Sequence, residues 1–296
     1  MKVEMVIDAK NKVGESIVWD NRKNELYWID IIDQKIHSYD PATKEQMTWQ
    51  TPDFVTSIGL RKDSGAIVGL KKQLTLWNFD GHFIPLAEIE PSSPDNRLNE
   101  GVVGPDGAYW VGTMQNNINA DGTPKNITAS TGRLYRCTAD GSVVSVSEDK
   151  FGITNTFVWT DDGRLITADT LENALYSYRV NITGGALSDK KIILKDFDRG
   201  LPDGSCKDSE GYIWNCRVVG GSCVARVSAE GVVERVIELP CSWPTSCTFG
   251  GPDLKTLYVT SARFTMDSAH LVEFPHEGAL MAVDTGFTGV LTNRFG

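Results

Sequence analysis

Six polar residues stand at one fixed distance from a turn. Seven positions before Arg22, Ser64, Asp106, Asp162, Glu210 and Asp253 lie Glu15, Ser57, Asn99, Asn155, Asp203 and Ser246. Each precedes a short apolar stretch: SIVW, IGL, GVVG, TFVW, GSC and CTF. Gathered on one axis they would offer two carboxylates, two carboxamides and two hydroxyls, with no thiolate and no imidazole. An all-oxygen set of this charge suits a hard divalent cation such as Ca²⁺, Mg²⁺ or Mn²⁺, because soft metals favour Cys or His. Two buried carboxylates that converge without a cation or partner are costly. The alternative is that these side chains satisfy turn backbone, as Ser, Asn and Asp commonly do. Arg97 and Glu100 flank Asn99, and the planar fork of an arginine there would clamp a substrate hydroxyl or carboxylate. A surface pairing of Arg97 with Asp95 or Glu100 is the other reading. His37, His82, His270 and His276 all fall outside the register and are expected at the surface, which argues against a nucleophile–imidazole triad. His270 and His276 flank an insert in the last repeat, leaving a lid contact open to them.

The elements that would bring the six together are visible as a repeat. Six segments begin at Asn24, Gly65, Gly107, Gly163, Gly211 and Lys255, spaced 41, 42, 56, 48 and 44 residues apart. Each runs from an Asp-Gly-like turn into an aromatic or β-branched strand, a polar turn and a second strand, with period-two alternation and no 3.6-residue apolar stripe. Several short strands every ~40–50 residues are what a β-propeller requires, one four-stranded blade per repeat. The expectation is therefore an all-β, six-bladed β-propeller of four antiparallel strands per blade, the six polar residues beginning the innermost strands around a central channel that holds the metal. The longest interval contains the polar insert Gln115 to Gly132, expected as a loop on one face. KVEMVID, before the first repeat, is expected to complete the last blade beside GFTGVLTNRF and so hide the edge strands.

Composition bounds the rest. At 296 residues, ~150 per domain would suggest two domains, but six repeats make residues 1–296 one propeller domain. A net charge of -10 without any basic run excludes the footprint needed for nucleic acid or an anionic membrane. Glu4, Asp8 and Lys10 interrupt any signal peptide, and no apolar run approaches the length of a membrane span. The six cysteines lack CxxC pairs and partner histidines, so reduced, buried thiols in a cytoplasmic protein are expected. Asn126-Ile127-Thr128 and Asn181-Ile182-Thr183 fit the glycosylation pattern, but without a secretion signal they are read as accidental. The protein is expected to be a monomer.

Five segments carry a more specific signal: VGESIVWD, RLNEGVVGPDGAYWVGTM, ITNTFVWTDDG, LPDGSCKDSEGYIW and TSCTFGGPDLKTLYVTSAR. In this order, from Gly14 to Arg263, they resemble the sugar-lactone lactonases of the regucalcin (senescence marker protein)/gluconolactonase family. The resemblance implies a six-bladed propeller with one functional divalent ion in its channel. It implies Glu15, Asn155 and Asp203 as metal ligands and Arg97 and Asn99 as substrate contacts. Glu100 is placed near the substrate with them. The ion expected is Ca²⁺, although the same oxygens accommodate Zn²⁺, Mn²⁺, Mg²⁺ or Fe²⁺. The chain departs from the family at Ile17, where GESP is usual, at Asn99-Glu100-Gly101, where NDG is usual, and at Thr154-Asn155-Thr156, where SNG or ANG is usual. Glu100 extends its carboxylate by a methylene, and Thr156 replaces a glycine beside a ligand. These departures bear on which lactone is used more than on the reaction type.

The activity so implied is hydrolysis of a sugar lactone to its aldonic acid. The ion would polarise the ring carbonyl, Asp203 would act as general base for water, and Arg97 with Asn99 would orient the sugar hydroxyls. Two rivals remain at this level: a phosphotriesterase-type calcium hydrolase of the same architecture, and a non-catalytic propeller that binds calcium or a protein partner.

Overall fold

The computed structural model describes residues 2–181 and 183–296. Ile182, the middle residue of the Asn181 sequon, lies outside the described residues. Strand β1 (Val3–Ile7) is followed by the first blade, β2 (Gly14–Asp20), β3 (Glu25–Asp30), β4 (Lys35–Tyr39) and β5 (Gln46–Gln50). The second holds β6 (Val55–Leu60), β7 (Ala66–Leu70), β8 (Gln73–Trp77) and β9 (Phe83–Glu88). The third holds β10 (Asn96–Val103), β11 (Tyr109–Gln115), β12 (Leu134–Cys137) and β13 (Val143–Ser145), and the fourth β14 (Thr154–Trp159), β15 (Arg164–Asp169), β16 (Ala174–Val180) and β17 (Leu187–Lys195). The fifth holds β18 (Leu201–Lys207), β19 (Ile213–Val218), β20 (Cys223–Val227) and β21 (Val233–Glu238). The last is built from β22 (Pro244–Gly250), β23 (Thr256–Ser261) and β24 (Leu280–Asp284), with helix α1 (Ser268–Glu273) between β23 and β24.

The strands form six antiparallel four-stranded sheets, a six-bladed β-propeller. In each blade the strand carrying the polar register residue is innermost, and β2, β6, β10, β14, β18 and β22 pack side by side around the axis. The turn from innermost to second strand needs a left-handed residue, supplied by Gly65 (φ 81°), Gly107 (φ 77°), Gly163 (φ 78°) and Gly211 (φ 84°). These are the turns that set the repeat in the sequence. In the first and last blades, Asn24 and Leu254 take the same conformation without glycine.

The apolar core is a set of seams, one between each pair of blades. Tyr27 and Ile29 of the first blade meet Ile58, Val68 and Trp77 of the second. Trp110 and Leu134 of the third meet Phe157 and Leu165 of the fourth, and Trp214 and Val224 of the fifth meet Phe249 and Val259 of the last. Trp19 and Trp28 close the ring against Tyr258 and Leu280. Each blade buries both faces of its inner strands, which is why β6, β7 and β22 are buried at every residue rather than alternately.

Closure differs from the sequence expectation in one respect. β1 does complete the last blade, but it pairs with β24, Val3 opposite Val283, and not with GFTGVLTNRF. Gly286 to Phe295 forms no strand of a blade. It crosses the far end of the channel through bridges of Gly289 to Asp208 and Phe295 to Arg61. Its glycines and polar turn residues break the period that a fourth strand needs, whereas VEMVI keeps it.

Candidate active site

Every innermost strand is bulged where it begins. The β2–β3 register slips between Glu15 and Val18, β10–β11 between Leu98 and Gly101, β14–β15 between Asn155 and Phe157, and β18–β19 between Pro202 and Ser205. A bulge leaves one residue out of the ladder and re-aims its side chain. Here it turns Glu15, Asn99, Asn155 and Asp203 into a common cavity of about 250 Å³ at the entry end of the channel. Arg97 and Asn117 line the same cavity, walled by Ile31, Met114, Trp243 and Phe264. Ser57 and Ser246 sit in the ring but do not line it.

The side chains are held by a chain of hydrogen bonds. Asn155 Nδ2 donates to Thr170 Oγ1 at 2.8 Å, which fixes the amide so that its oxygen faces inward. Asn99 Nδ2 donates to that oxygen at 3.3 Å and to the Thr154 carbonyl at 2.8 Å. Arg97 Nη1 donates to Asn99 Oδ1 and to the Leu98 carbonyl, both at 2.8 Å. Arg97 Nε and Nη2 donate to Asn117 Oδ1 at 3.3 and 2.8 Å. Four of the five guanidinium N–H groups are thereby committed, leaving one for a ligand. Thr156 adopts φ 57°, and its hydroxyl donates to the Asp203 carbonyl at 2.5 Å. The residue that stands for the family's glycine therefore accepts that conformation and braces the strand carrying Asp203.

Electrostatically the cavity is unbalanced. Burial pushes the Glu15 carboxyl well above its usual range, and the charges of Asp203 and Glu100 push it the same way. Burial and then Glu100 raise Asp203 likewise. The Glu15 and Asp203 carboxyls are within hydrogen-bonding reach of each other. Arg97, itself lowered to about 10 by burial, is the cation that faces Glu15. The charge of the buried Arg217 also reaches Asp203 and lowers it, against burial and Glu100. Two acids plus an amide oxygen held inward form a donor set that a hard divalent cation fits, oxygen ligands of net negative charge. Among the described residues no group of three or more His, Cys, Asp or Glu converges as a metal cluster. The candidate set is not of that kind, since its third donor is a carboxamide.

Glu100 is placed differently from Arg97 and Asn99. It is buried, its Oε1 accepts from the Gly101 backbone N–H at 3.0 Å, and it lines a separate cavity toward the far end of the channel. Asn99 and Glu100 are the two residues of the β10 bulge, opposite Gly112, and their side chains part there, Asn99 into the entry cavity and Glu100 into the far one. Burial raises its carboxyl to about 7.

Sequence reasoning missed Asn117, which lies in the Gln115 to Gly132 insert and has no periodic neighbour to reveal it. Its only signal was the length of the third interval. The histidines divide. His82 is exposed, but His37 is half-buried and stacks on Trp28 with ring centroids 5.1 Å apart. His270, on α1, does not line the cavity: its Nε2 lies 2.8 Å from Ser242 Oγ and 3.2 Å from Glu277 Oε1, tethering α1 to the segment before Trp243.

The chain matches the model of the SMP-30/Gluconolactonase/LRE-like region over residues 13–263. It is 32% identical over 292 residues to a 6-deoxy-6-sulfogluconolactonase of Pseudomonas putida, covering 97% of this chain and 96% of that one. It is 30% identical over 299 residues to regucalcin of Xenopus laevis, covering 100% of this chain and 98% of that one. The solved structure of a calcium-binding protein, regucalcin, from Agrobacterium tumefaciens superposes with a TM-score of 0.90 at 25% identity, covering 99% of this chain and 96% of that one. With bulged inner strands, axial register and matched region in agreement, the chain belongs to the SMP-30/gluconolactonase/LRE-like family.

Proposed function

We propose that the protein hydrolyses a sugar lactone to the corresponding aldonic acid with a divalent cation, Ca²⁺ first, held by Glu15, Asn155 and Asp203. The observation that carries this reading is the convergence of two charge-deficient acids and an oriented carboxamide in a cavity whose rim holds Arg97. A relative that is a 6-deoxy-6-sulfogluconolactonase supports the substrate class. A bound cation supplies a Lewis acid for the ring carbonyl and its developing oxyanion. Asp203 takes a proton from the attacking water through a carboxylate oxygen. Arg97 presents its remaining N–H to a sugar oxygen, while Asn117 and Asn99 hold the guanidinium in place. Asn99, with both amide hydrogens already engaged, orients Arg97 and Asn155. Ile31, Met114 and Phe264 make one wall of the cavity apolar.

Among the described residues no helix is long and apolar enough to cross a membrane, and all six cysteines are free. The free thiols support a cytoplasmic setting, and the net charge supports a small-molecule substrate over a nucleic acid. We further propose that residues 1–296 act as one domain and as a monomer, supported by β1 closing the last blade.

The test is a panel of aldonolactones offered to chelator-treated protein reloaded with Ca²⁺, Mn²⁺, Zn²⁺ or Fe²⁺, with acid release read by a pH indicator. Metal-dependent acid release is expected. Cleavage of phosphoesters in its place, or metal binding without any turnover, would overturn the reading in favour of a phosphotriesterase-type or a non-catalytic propeller.

A further inference from the structure

The far end of the channel holds a second feature, independent of the proposed reaction. A cavity of about 340 Å³ lies between the ends of the innermost strands and the segment Val290 to Asn293. Two thiols line it, Cys206 from β18 in the fifth blade and Cys247 from β22 in the last. Their sulfurs are 3.6 Å apart. Cys216, on β19, packs in the same seam, but it is fully buried and does not line the cavity. Three thiols from three strands thus meet at one blade seam, and two of them face a space that a small oxidant can occupy.

We propose that Cys206 and Cys247 are a peroxide-reactive pair that closes to a reversible disulfide between the fifth and last blades. In the first step the Cys247 thiolate attacks one peroxide oxygen. The O–O bond breaks, the sulfur becomes a sulfenic acid and, with the thiol proton, the departing oxygen leaves as water. In the second step the Cys206 sulfur attacks the sulfenic sulfur, the S–O bond breaks, and the hydroxyl leaves with the Cys206 proton as a second water. Two thiols lose two electrons and two protons, and one H₂O₂ becomes two H₂O. The sulfurs, 3.6 Å apart, must approach by about 1.5 Å to reach a bond of about 2.05 Å. Cys247 is the attacking sulfur on chemical grounds as well. Burial and its own donor bond to the Trp214 carbonyl at 3.2 Å hold the Cys247 proton, and the hydrogen bond from Cys206 opposes them and lowers the thiol. Cys206 itself is raised by burial and by Cys247, which suits the thiol that resolves.

The experiment treats the native protein with hydrogen peroxide, removes the oxidant, unfolds the protein in the presence of an alkylating agent so that buried thiols are reached, and maps the peptides without reductant. The result expected is a fall from six free thiols to four, with the Cys206 and Cys247 peptides joined, lighter by two hydrogens, and separated again by dithiothreitol. Cys216→Ser should still lose two thiols. Cys206→Ser should form no disulfide and instead hold Cys247 as a sulfenic acid that dimedone labels. Six thiols retained by the wild type, a Cys216–Cys247 link, or a link that persists in Cys206→Ser would each overturn the proposal. The mapping needs only the wild-type chain, so it decides the matter even where a variant folds poorly.

Discussion

The two ends of the channel are made by the same six strands, yet they are chemically unlike. The entry end is the smaller cavity, about 250 Å³ against about 340 Å³, but it gathers Glu15, Asn155, Asp203 and Arg97. The far end has more room, with one carboxyl, the Lys207 ammonium, two thiols and scattered hydroxyls among apolar side chains such as Ile58, Val103 and Phe157, but it gathers no set of acids. What separates them is the bulge at the start of each strand, which aims polar side chains at the axis before the regular ladder turns apolar ones into the blade seams. Volume is thus a poor guide to function here. An uncompensated set of oxygen donors is the better one.

The comparison can be broken most sharply at Asp203. Asp203→Asn keeps the shape but removes the base, and a loss of about 10²–10⁴-fold in kcat is expected in a lactone assay. Retained turnover would mean that the entry end is not where water is activated. Arg97→Lys should cost less, about 10- to 100-fold in kcat/KM, because a point charge cannot keep the bonds to Asn117, Asn99 and Leu98 while donating to substrate. Glu100→Gln sharpens the contrast from the other side. Its carboxyl lines the far cavity, so only its field reaches Glu15 and Asp203, and a loss of about tenfold or less is expected, below that of Arg97→Lys. A larger loss would return Glu100 to direct substrate contact.

The smallest effect concerns the frame and not the channel. Burial against Trp28, and then the Lys35 charge, lower His37 to about 4 from the usual 6.5. Because the unfolded chain takes up this proton first, the folded state is favoured above pH 6.5 and loses that advantage as pH falls toward 4. Thermal melts should show a shallower decline over this window in His37→Gln than in the wild type, with lactone turnover at neutral pH intact.

Much of this was legible in the sequence, and for identifiable reasons. The left-handed turn at Gly65, Gly107, Gly163 and Gly211 demands glycine, so the blades announce themselves by their spacing. In five blades the register residue lies eight positions before the left-handed turn residue, and in the first nine, Glu15 to Asn24, so the run from bulge to turn is nearly constant. Other features depend on contacts between residues far apart in the chain, which no local pattern encodes. Asn117 reaches Arg97 from an irregular insert, and the three thiols come from three strands of two blades, so no CxxC spacing marks them. The direction of Glu100 turned on the bulge of β10, while β1 found β24 because only the folded ring brings them together. His37 looked like a surface residue, since its place beside Trp28 is set by cross-strand pairing of β3 with β4.

The central claim is that Glu15, Asn155 and Asp203 hold one divalent cation at the entry end. It is tested most directly by calorimetric titration of chelator-treated protein with Ca²⁺ and Mn²⁺. The account predicts one site per chain in the wild type and in Cys247→Ser, and an affinity weaker by at least about tenfold, or 1.4 kcal/mol, in Asp203→Asn and Glu15→Gln. Wild-type affinity in both of those variants, or loss of binding on changing the far end alone, would contradict it.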